Sequence, residues 1–275
     1  MGKTHLCWLL ASVCQERGKR CLIVDLDQQA NITQSFLPNH KQPTGVELIF
    51  EPRADVAPQR LIHASGYSHI DLIPATGHFA RYDLAQPEQW EAERLHTALS
   101  DFLVELAPRY DYILLDCPPR ISLASYAALC ASQYVIIPLE AADWGARGTA
   151  TVRAAIQRVQ EHDNPDLKLL GYVVSKFKQR RAFQLTYLLQ IRQTFGQDAF
   201  ETVIPDSSEF ERSVDNAIPV TLHSPSSHAS RIARRLFDEV ESRIHGLRTQ
   251  EELAGVGGPG RESRTRTNTA ALAGQ

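Results

Sequence analysis

Short apolar segments that are typical of buried strands alternate along this chain with longer segments of helical character. The strand-like segments are RCLIVD at 20–25, HIDLIPA at 69–75, YDYILLD at 110–116, QYVIIPL at 133–139, LKLLGYVVS at 167–175 and AFETVIP at 199–205. Helical patterns lie between and after them, near residues 4–17, 88–107, 121–131, 145–162, 183–195 and 226–245. This alternation predicts a doubly wound α/β fold, in which helices cover both faces of a mostly parallel sheet.

Size and composition limit the kinds of protein that this chain can be. Its 275 residues are enough for one large α/β domain with a sizeable buried core. No apolar run reaches the ~18 residues of a membrane span, and the five cysteines form no C-x-x-C pair, so we expect a reduced, cytoplasmic protein. Because the formal net charge is −3, any DNA binding would need a local basic patch.

The composition changes near the end of the chain. The segment TQEELAGVGGPGRESRTRTNTAALAGQ, at 249–275, is rich in Gly, Thr and Arg and has no apolar period. Such a composition is typical of a segment that buries too little apolar surface to fold. We therefore predict a single α/β domain at 1–246 and a disordered tail at 247–275.

Gly2-Lys3-Thr4 match the last three positions of the phosphate-binding loop G-x-x-x-x-G-K-[ST]. In such a loop, backbone N–H groups bind the phosphates, the Lys reaches the β- and γ-phosphates, and the Thr hydroxyl binds Mg²⁺. Three residues alone are weak evidence, because an ordinary amphipathic helix with a charged start would look the same. A phosphate-binding loop also follows a strand. None precedes Gly2, so we expect the first strand of the sheet to be missing from this chain.

Two of the strand-like segments end in acidic residues. LIVDLDQQAN places Asp25 at a strand end and Asp27 two residues later, and YDYILLDCPP ends its strand in Asp116. Ligands bind at the carboxyl ends of strands in open α/β sheets, where Asp116 would have a Walker-B arrangement directed at Mg²⁺. Of the other two acids, one can hold a water of the Mg²⁺ shell and the other can orient an attacking water. Capping of a loop or helix by Asp is the simpler alternative.

In this order and at these separations, GKT, DLDQQAN and DCPP make the chain resemble the ParA-type partition ATPases. These form the deviant-Walker-A branch of P-loop proteins, which also contains the MinD-like cell-division ATPases. The similarity extends to VIIPLEAADWGARG at 135–148, VIPDSSEFERSVDNAIPV at 203–220 and HSPSSHASRIARRLFDEV at 223–240, and covers residues 2–245. The resemblance implies ATP and Mg²⁺ as cofactors and ATP hydrolysis as the activity.

The resemblance also implies roles for individual residues. The nucleotide would be held by Gly2, Lys3, Thr4, His5 and Pro205. The Mg²⁺ shell would be served by Thr4, Asp25 and Asp116. The catalytic residues would be Lys3, which contacts the phosphates, and Asp27, which orients the attacking water.

Several positions depart from the family pattern. His5 replaces a second Thr, Gln28 replaces a Pro, and Ala30 replaces a common Gly, while Asp206 stands where an Arg is frequent. The front of the loop is absent too, including a lysine that in the family reaches the partner's phosphates across an ATP-sandwiched dimer. We therefore expect weak or no hydrolysis from the chain as given. Our hypothesis is a misplaced start, with Met1 a GTG-encoded Val inside K-G-G-V-G-K-T; a true truncation is the alternative.

Basic residues cluster late in the chain despite its negative net charge. SKFKQRR at 175–181 and SRIARR at 230–235 contain most of this cluster. In ParA-like proteins, non-specific DNA binding by the ATP-bound dimer uses basic residues of this region. The resemblance therefore implies DNA contacts by Lys176, Lys178, Arg180, Arg181, Arg212, Arg231 and Arg234. A solvated charged surface is the alternative interpretation.

The function that the resemblance predicts is Mg-ATP-dependent partitioning of plasmid or chromosomal DNA. ATP binding would close a homodimer at the nucleoid, and a centromere-binding, ParB-like partner would stimulate hydrolysis. A membrane role like that of MinD is not expected, because residues 247–275 form no apolar stripe. Two alternatives stay open: a non-catalytic, truncated binding protein that pairs with a full-length relative, and a ParA-like ATPase that positions a cargo other than DNA.

Overall fold

The structure is a computed structural model that describes residues 2–38, 44–51, 56–83, 90, 94–141, 146–255 and 267–272. These residues form a seven-stranded sheet flanked by helices. The strands are β1 (Cys21–Asp25), β2 (His63–Ala64), β3 (Ile70–Ile73), β4 (Tyr112–Asp116), β5 (Tyr134–Glu140), β6 (Lys168–Ser175) and β7 (Asn268–Leu272). The helices are α1 (Lys3–Glu16), α2 (Asn31–Phe36), α3 (Ala80–Asp83), α4 (Leu95–Val104), α5 (Leu123–Ala131), α6 (Ala146–His162), α7 (Ala182–Phe195), α8 (Ser208–Asp215), α9 (Val220–His223) and α10 (His228–Gly255).

The strands lie in the order β2-β3-β1-β4-β7-β5-β6. Every neighbouring pair is parallel except β2 and β3, which pair antiparallel. Parallel strands cannot be joined by tight turns and need long crossover connections, which helices usually supply. The predicted doubly wound, mostly parallel α/β fold is confirmed. None of the described helices has the length and apolar character needed to cross a membrane.

Each face of the sheet packs on its own hydrophobic core. Successive residues of β1 alternate between the two: Leu22 and Val24 belong to one core, and Cys21 and Ile23 belong to the other. All of β1 is buried, as expected for a central parallel strand that is covered on both sides. Helices α4 and α5 pack in the first core, while α1 and α10 pack in the second. This two-sided packing leaves the edge formed by the strand ends as the place for a ligand.

Five of the predicted strands are present, as β1, β3, β4, β5 and β6. The sixth prediction, a strand at 199–205, is wrong, because only isolated bridges form at the two ends of that segment. The carboxylate of Glu239 accepts hydrogen bonds from the N–H groups of Glu201 and Thr202, at 2.8 and 2.9 Å. These two N–H groups are therefore not available for the hydrogen bonds of a β-ladder, and the segment runs beside β6 without forming a strand.

The predicted helices are present as α1, α5, α6, α7 and α10, and α4 accounts for part of the segment at 88–107. Within that segment, residues 88, 89 and 91–93 lie outside the described residues. The same holds for residues 142–145 of the family-like segment at 135–148, and for Met1.

The prediction of a disordered tail at 247–275 is wrong for two of its parts. Helix α10 continues to Gly255, and Asn268–Leu272 form β7 in the middle of the sheet, where we expected a vacant strand position. Strand β7 pairs with all of β4 and with three residues of β5. An open position between β4 and β5 would expose two rows of backbone groups that need partners, and β7 satisfies them. Residues 256–266 and 273–275 lie outside the described residues.

Candidate functional site

The carboxyl ends of β1 and β4 and the first turn of α1 meet at one edge of the sheet. A cavity of about 750 Å³ lies there, which is large enough for a small-molecule ligand. Its wall is formed by α1, the loop after β1 and the segment around the start of α8. Among the residues predicted to bind or act on a nucleotide, this wall contains Gly2, Lys3, Thr4, His5, Asp27 and Pro205.

Helix α1 follows a glycine whose backbone conformation and packing both exclude a side chain. Gly2 has a φ of 126°, a conformation that residues with a side chain rarely adopt. A Cβ atom at Gly2 would lie 2.6 Å from Oγ of Ser175, so the position also has no room for a side chain. The N–H groups of a first helical turn have no partner within the helix and carry partial positive charge. The start of α1 is therefore suited to bind an anion such as phosphate.

Lys3 is a nearly buried cation on the cavity wall, with 5% exposure. Burial lowers the pKa of its ammonium group, because removing a charge from water is unfavourable. The neighbouring Cys117, Asp116 and Asp27 oppose this change. A buried cation beside the start of a helix makes this end of the cavity favourable for an anionic ligand.

Asp116 has the least compensated carboxylate of the site. It is buried, and neither oxygen has a hydrogen-bond partner of good geometry among the described residues. Burial raises the pKa of Asp116 well above its ordinary value, and the neighbouring Asp25 raises it further, while the Thr4 hydroxyl partly opposes this. Buried polar atoms nearly always have partners. Two unsatisfied oxygens next to a cavity therefore indicate a site for a cation or an ordered water.

Asp25 is paired in register with Asp116 on the neighbouring strand, so two carboxylates lie side by side. Unlike its neighbour, Asp25 accepts hydrogen bonds from Oγ1 and N of Thr33, at 2.6 and 3.1 Å, and from N of Asp27, at 3.1 Å. Burial raises the pKa of Asp25, and these hydrogen bonds act in the opposite direction. Asp25 therefore also fixes the loop that leads from β1 into α2.

Asp27 lies on the cavity wall with 9% exposure. Its Oδ1 accepts a hydrogen bond from N of Gln29 at 3.0 Å, and its carbonyl oxygen accepts one from N of Ala30 at 2.8 Å. Asp commonly stabilises such a turn. Ala30 has a φ of 53°, which explains why the resembled family commonly has Gly at this position. The turn holds the Asp27 carboxylate at the edge of the cavity.

The oxygen ligands at this edge suit Mg²⁺ more than a metal held entirely by protein. Thr4 lies on the cavity wall, and Asp25 and Asp116 are buried close by. Within the described ranges, no group of three or more His, Cys, Asp or Glu residues could hold a metal ion. Mg²⁺ usually takes only one or two carboxylates and completes its shell with waters and substrate phosphates. The residues present fit that pattern.

The apolar side of the cavity was not predicted from the sequence. Trp8, Ile32, Phe210 and Val214 form it, and Nε1 of Trp8 donates a hydrogen bond to Oγ of Ser213 at 3.0 Å, which ties α1 to α8. The only signal of these residues in the sequence is their apolar character. That signal does not distinguish a cavity wall from the protein core.

The residues predicted to contact DNA do not form one uniform patch. Lys176 lies on the cavity wall, with Nζ 3.2 Å from Oε1 of Glu140, and Lys178 pairs with Asp206 at 2.8 Å. Both cations therefore have carboxylate partners close to the candidate site.

The arginines of the same prediction differ in their surroundings. Arg234 is held by two hydrogen bonds to the Glu16 carboxylate, at 2.9 and 2.6 Å, and Arg231 donates to the carbonyl of Ser226 at 2.6 Å. The remaining predicted residues are exposed: Arg180, Arg181 and Arg212.

Comparison with known proteins identifies what the chain is similar to. Residues 1–169 match the family described as AAA domain. The chain is 31% identical over 244 residues to the chromosome-partitioning ATPase Soj of Thermus thermophilus, covering 89% of this chain and 92% of that protein. It is 29% identical over 224 residues to the chromosome partitioning protein ParA of Myxococcus xanthus, covering 81% and 77% respectively.

A solved structure has a similar architecture. The cobyrinic acid a,c-diamide synthase from Mycobacterium smegmatis, with bound ATP analog and magnesium, superposes with a TM-score of 0.70. The two chains are 25% identical, and the match covers 86% of this chain and 88% of that one.

Proposed function

We propose, on the premise that this chain belongs to the ParA-type partition ATPases, that it binds Mg-ATP and uses ATP hydrolysis to partition DNA. The observation that carries this proposal is the cavity at the start of α1, where the buried Lys3 lies near the unsatisfied carboxylate of Asp116. A nucleoside triphosphate with Mg²⁺ would bring phosphate oxygens to Lys3 and a cation to the Asp116 carboxylate.

The residues at the cavity fit the two cofactors. Lys3 and the N–H groups of the first turn of α1 would bind the phosphates, and Pro205, which also lines the cavity, would border the nucleotide. The Thr4 hydroxyl and Asp116, with Asp25 beside it, would hold Mg²⁺ and its waters. When bound, Mg²⁺ neutralises charge on the phosphates and orients them.

The protein's own contribution to hydrolysis would be positioning. The turn at Gln29 and Ala30 fixes Asp27 at the cavity wall, where its carboxylate would accept a hydrogen bond from the attacking water and orient it. Lys3 would stabilise negative charge on the phosphates. Phosphoryl transfer depends mainly on such positioning and electrostatic stabilisation.

The proposal includes an assembly and two macromolecular partners. ATP binding would close a homodimer, the dimer would bind DNA non-specifically, and a centromere-binding, ParB-like protein would stimulate hydrolysis and release. The partitioning relatives support this, and so do exposed arginines such as Arg180, Arg181 and Arg212, which can contact DNA phosphates. Such a protein would be found at the nucleoid.

The test is Asp27→Ala in the full chain. Loss of the carboxylate that orients the water should lower the ATP hydrolysis of the wild-type chain, which we expect to be weak, by roughly 100-fold or more, while ATP binding is retained because the phosphate-binding residues are unchanged. The variant should accumulate as an ATP-bound dimer on DNA. Phosphate release, sedimentation and DNA mobility shift measure these three properties.

Asp101→Ala is the matched control, since Asp101 is an exposed acid on α4 outside the cavity wall, and its loss should leave turnover unchanged. Parental turnover by D27A would show that the role given to Asp27 is wrong. A wild-type chain that binds ATP without hydrolysing it would favour the non-catalytic binding protein. Hydrolysis without any DNA binding would favour a different cargo.

A further inference from the structure

The position between β4 and β5 is a slot that holds one extended strand, and the proposed function gives this slot no role. It is formed by Tyr112–Asp116 on one side and Tyr134–Ile136 on the other, and β7 pairs parallel with both. Strand β7 is therefore held by backbone hydrogen bonds on its two sides. Such bonds select an extended backbone without selecting a sequence, because every residue except proline offers the same donor and acceptor.

The side chains next to the slot select what can enter it. Ala270 and Ala271 are buried on opposite faces of the sheet, in separate hydrophobic cores. Each is flanked in register by larger residues of β4 and β5, which are Leu114, Leu115, Tyr134 and Val135. Because protein interiors are packed as densely as organic crystals, a larger side chain at either position would need its neighbours to move. The slot therefore suits an extended segment with small residues at two successive positions.

Hydrogen bonds at the start of β7 fix its register. The N–H group of Thr269 donates to Oε1 of Gln133 at 2.8 Å, and the carbonyl oxygen of Thr269 accepts from N of Gln133 at 3.0 Å. Nη2 of Arg248, on α10, donates to Oδ1 of Asn268 at 2.6 Å. A shift by one residue would break these hydrogen bonds and turn each side chain to the other face of the sheet. The slot therefore favours Asn268–Leu272 over segments that merely contain small residues.

The contacts that hold β7 do not require it to belong to the same chain. They are made with β4, β5, Gln133 and α10, while residues 256–267 join α10 to β7. A connection of this length can span up to about 40 Å, more than the ~30 Å diameter of a small domain. The same strand from a second copy would make the same contacts. An exchange of strands between two copies therefore costs little free energy beyond that of bringing them together.

We propose that the slot between β4 and β5 is a strand-binding site that accepts Asn268–Leu272 from a second copy of this chain, so that two copies exchange β7. The exchange needs no nucleotide, and it is therefore independent of the proposed function and of a dimer that ATP closes. Each chain's own β7 competes for the slot, at an effective concentration on the order of 1 mM for a short tether. High protein concentration therefore favours the exchange, and a free peptide of the same sequence inhibits it.

The test uses the concentrated full chain, in EDTA and without nucleotide so that no ATP-dependent dimer can form. After incubation a few degrees below the melting temperature, sedimentation velocity should show a dimer whose fraction rises with protein concentration. The peptide TNTAAL, the sequence of residues 267–272, should lower this fraction by about half when it reaches the effective concentration of the tethered strand. The same peptide with the change Ala271→Asp should have no effect, because an unpaired carboxylate is too costly to bury in the slot.

Two variants of the full chain are the matched controls. Leu253→Asp changes an exposed residue of α10 and should dimerise like wild type, whereas Ala271→Asp should form no exchanged dimer. The comparison of the two peptides needs only the wild-type chain, so it tests the proposal even if A271D does not fold. Absence of a dimer at every protein concentration would overturn the proposal, and so would a dimer that both peptides leave unchanged. A dimer that forms only with ATP would also overturn it, while supporting the proposed function.

Discussion

At the scale of one residue, Asp116 has a carboxylate that suits a ligand site and lowers the stability of the folded protein. Its carboxylate is buried, lacks a hydrogen bond of good geometry, and lies in register with the carboxylate of Asp25. Sites that hold uncompensated charges generally make the ligand-free protein less stable than it could be. The proposed Mg²⁺ would remove this disadvantage.

We predict that Asp116→Asn stabilises the metal-free protein and removes the extra stability that Mg-ATP provides. Because the folded-state pKa of Asp116 is raised, the folded protein binds this proton more tightly than the unfolded chain does. The carboxylate therefore destabilises the fold only above about pH 4, and increasingly so as the pH rises through the folded-state pKa. In EDTA, the melting temperature of D116N relative to that of wild type should rise from acidic to neutral pH. The rise should be roughly 2–4 °C for each kcal/mol by which the charged carboxylate destabilises the wild-type fold.

Asp101→Asn is the control for this experiment, because Asp101 is an exposed acid on α4 and should melt like wild type at every pH. A stability difference that does not change with pH would contradict the role of the buried charge. Protection of D116N by Mg-ATP equal to that of wild type would contradict the role of Asp116 in holding Mg²⁺.

The acids of this site could be predicted from the sequence, and their hydrogen bonds could not. Parallel strands end at the same edge of a sheet, so both Asp25 and Asp116 were expected at that edge once the strands were recognised, while their pairing side by side depends on the strand order. The pairing of Asp25 with Thr33 depends on how α2 begins, which no local pattern specifies. The position of Lys176 on the cavity wall, with a φ of 51°, is likewise not specified by any local pattern.

At the scale of elements, β4 and β7 differ in how far local sequence specifies them. Strand β4 is buried on both faces and reads as a continuous apolar run, which is a strong strand signal. Strand β7 has the sequence NTAAL and contains small residues that carry almost no such signal. It forms because β4 and β5 both offer unpaired backbone groups, a property of the assembled sheet. Tertiary contacts also explain why residues 199–205 do not form a strand, because the carboxylate of Glu239, distant in sequence, accepts hydrogen bonds from N–H groups that a strand would use.

We predict that Ala271→Asp strongly destabilises the protein. Ala271 is fully buried between Leu115 of β4 and Val135 of β5, and an unpaired carboxylate there should cost about 3 kcal/mol or more. The melting temperature should decrease accordingly. Hydrogen exchange measured by mass spectrometry should show faster exchange of the amides of β4 and β5, which β7 otherwise protects.

Leu253→Asp provides the comparison for this prediction. Leu253 belongs to the same C-terminal region but is 73% exposed, so a charge there should change stability by no more than about 0.5 kcal/mol. If A271D melts like L253D and exchanges like wild type, Asn268–Leu272 do not form a strand of the sheet in solution.

At the scale of the whole molecule, the net charge of −3 disfavours DNA binding. Binding would therefore depend on which cationic side chains are exposed and can contact DNA phosphates. Arg234 is already held by Glu16, and Lys178 by Asp206. Arg180 and Arg181 are exposed before the start of α7. We therefore expect this pair to contribute more to DNA binding than Arg234 does.

Replacing Arg180 and Arg181 together by Ala should weaken non-specific DNA binding of the ATP-bound protein and make it less sensitive to salt. Each arginine that contacts a phosphate releases about one counterion, so the slope of log affinity against log salt should decrease by about 2. The double variant Arg60→Ala, Arg109→Ala removes two other exposed arginines and the same net charge, and it should keep the wild-type slope. Fluorescence anisotropy with a DNA duplex of random sequence at several salt concentrations measures both the affinity and its salt dependence.

Equal effects of the two double variants would mean that overall charge, and not this surface, determines DNA binding. No effect of R180A/R181A would place the DNA contact elsewhere or favour a cargo other than DNA.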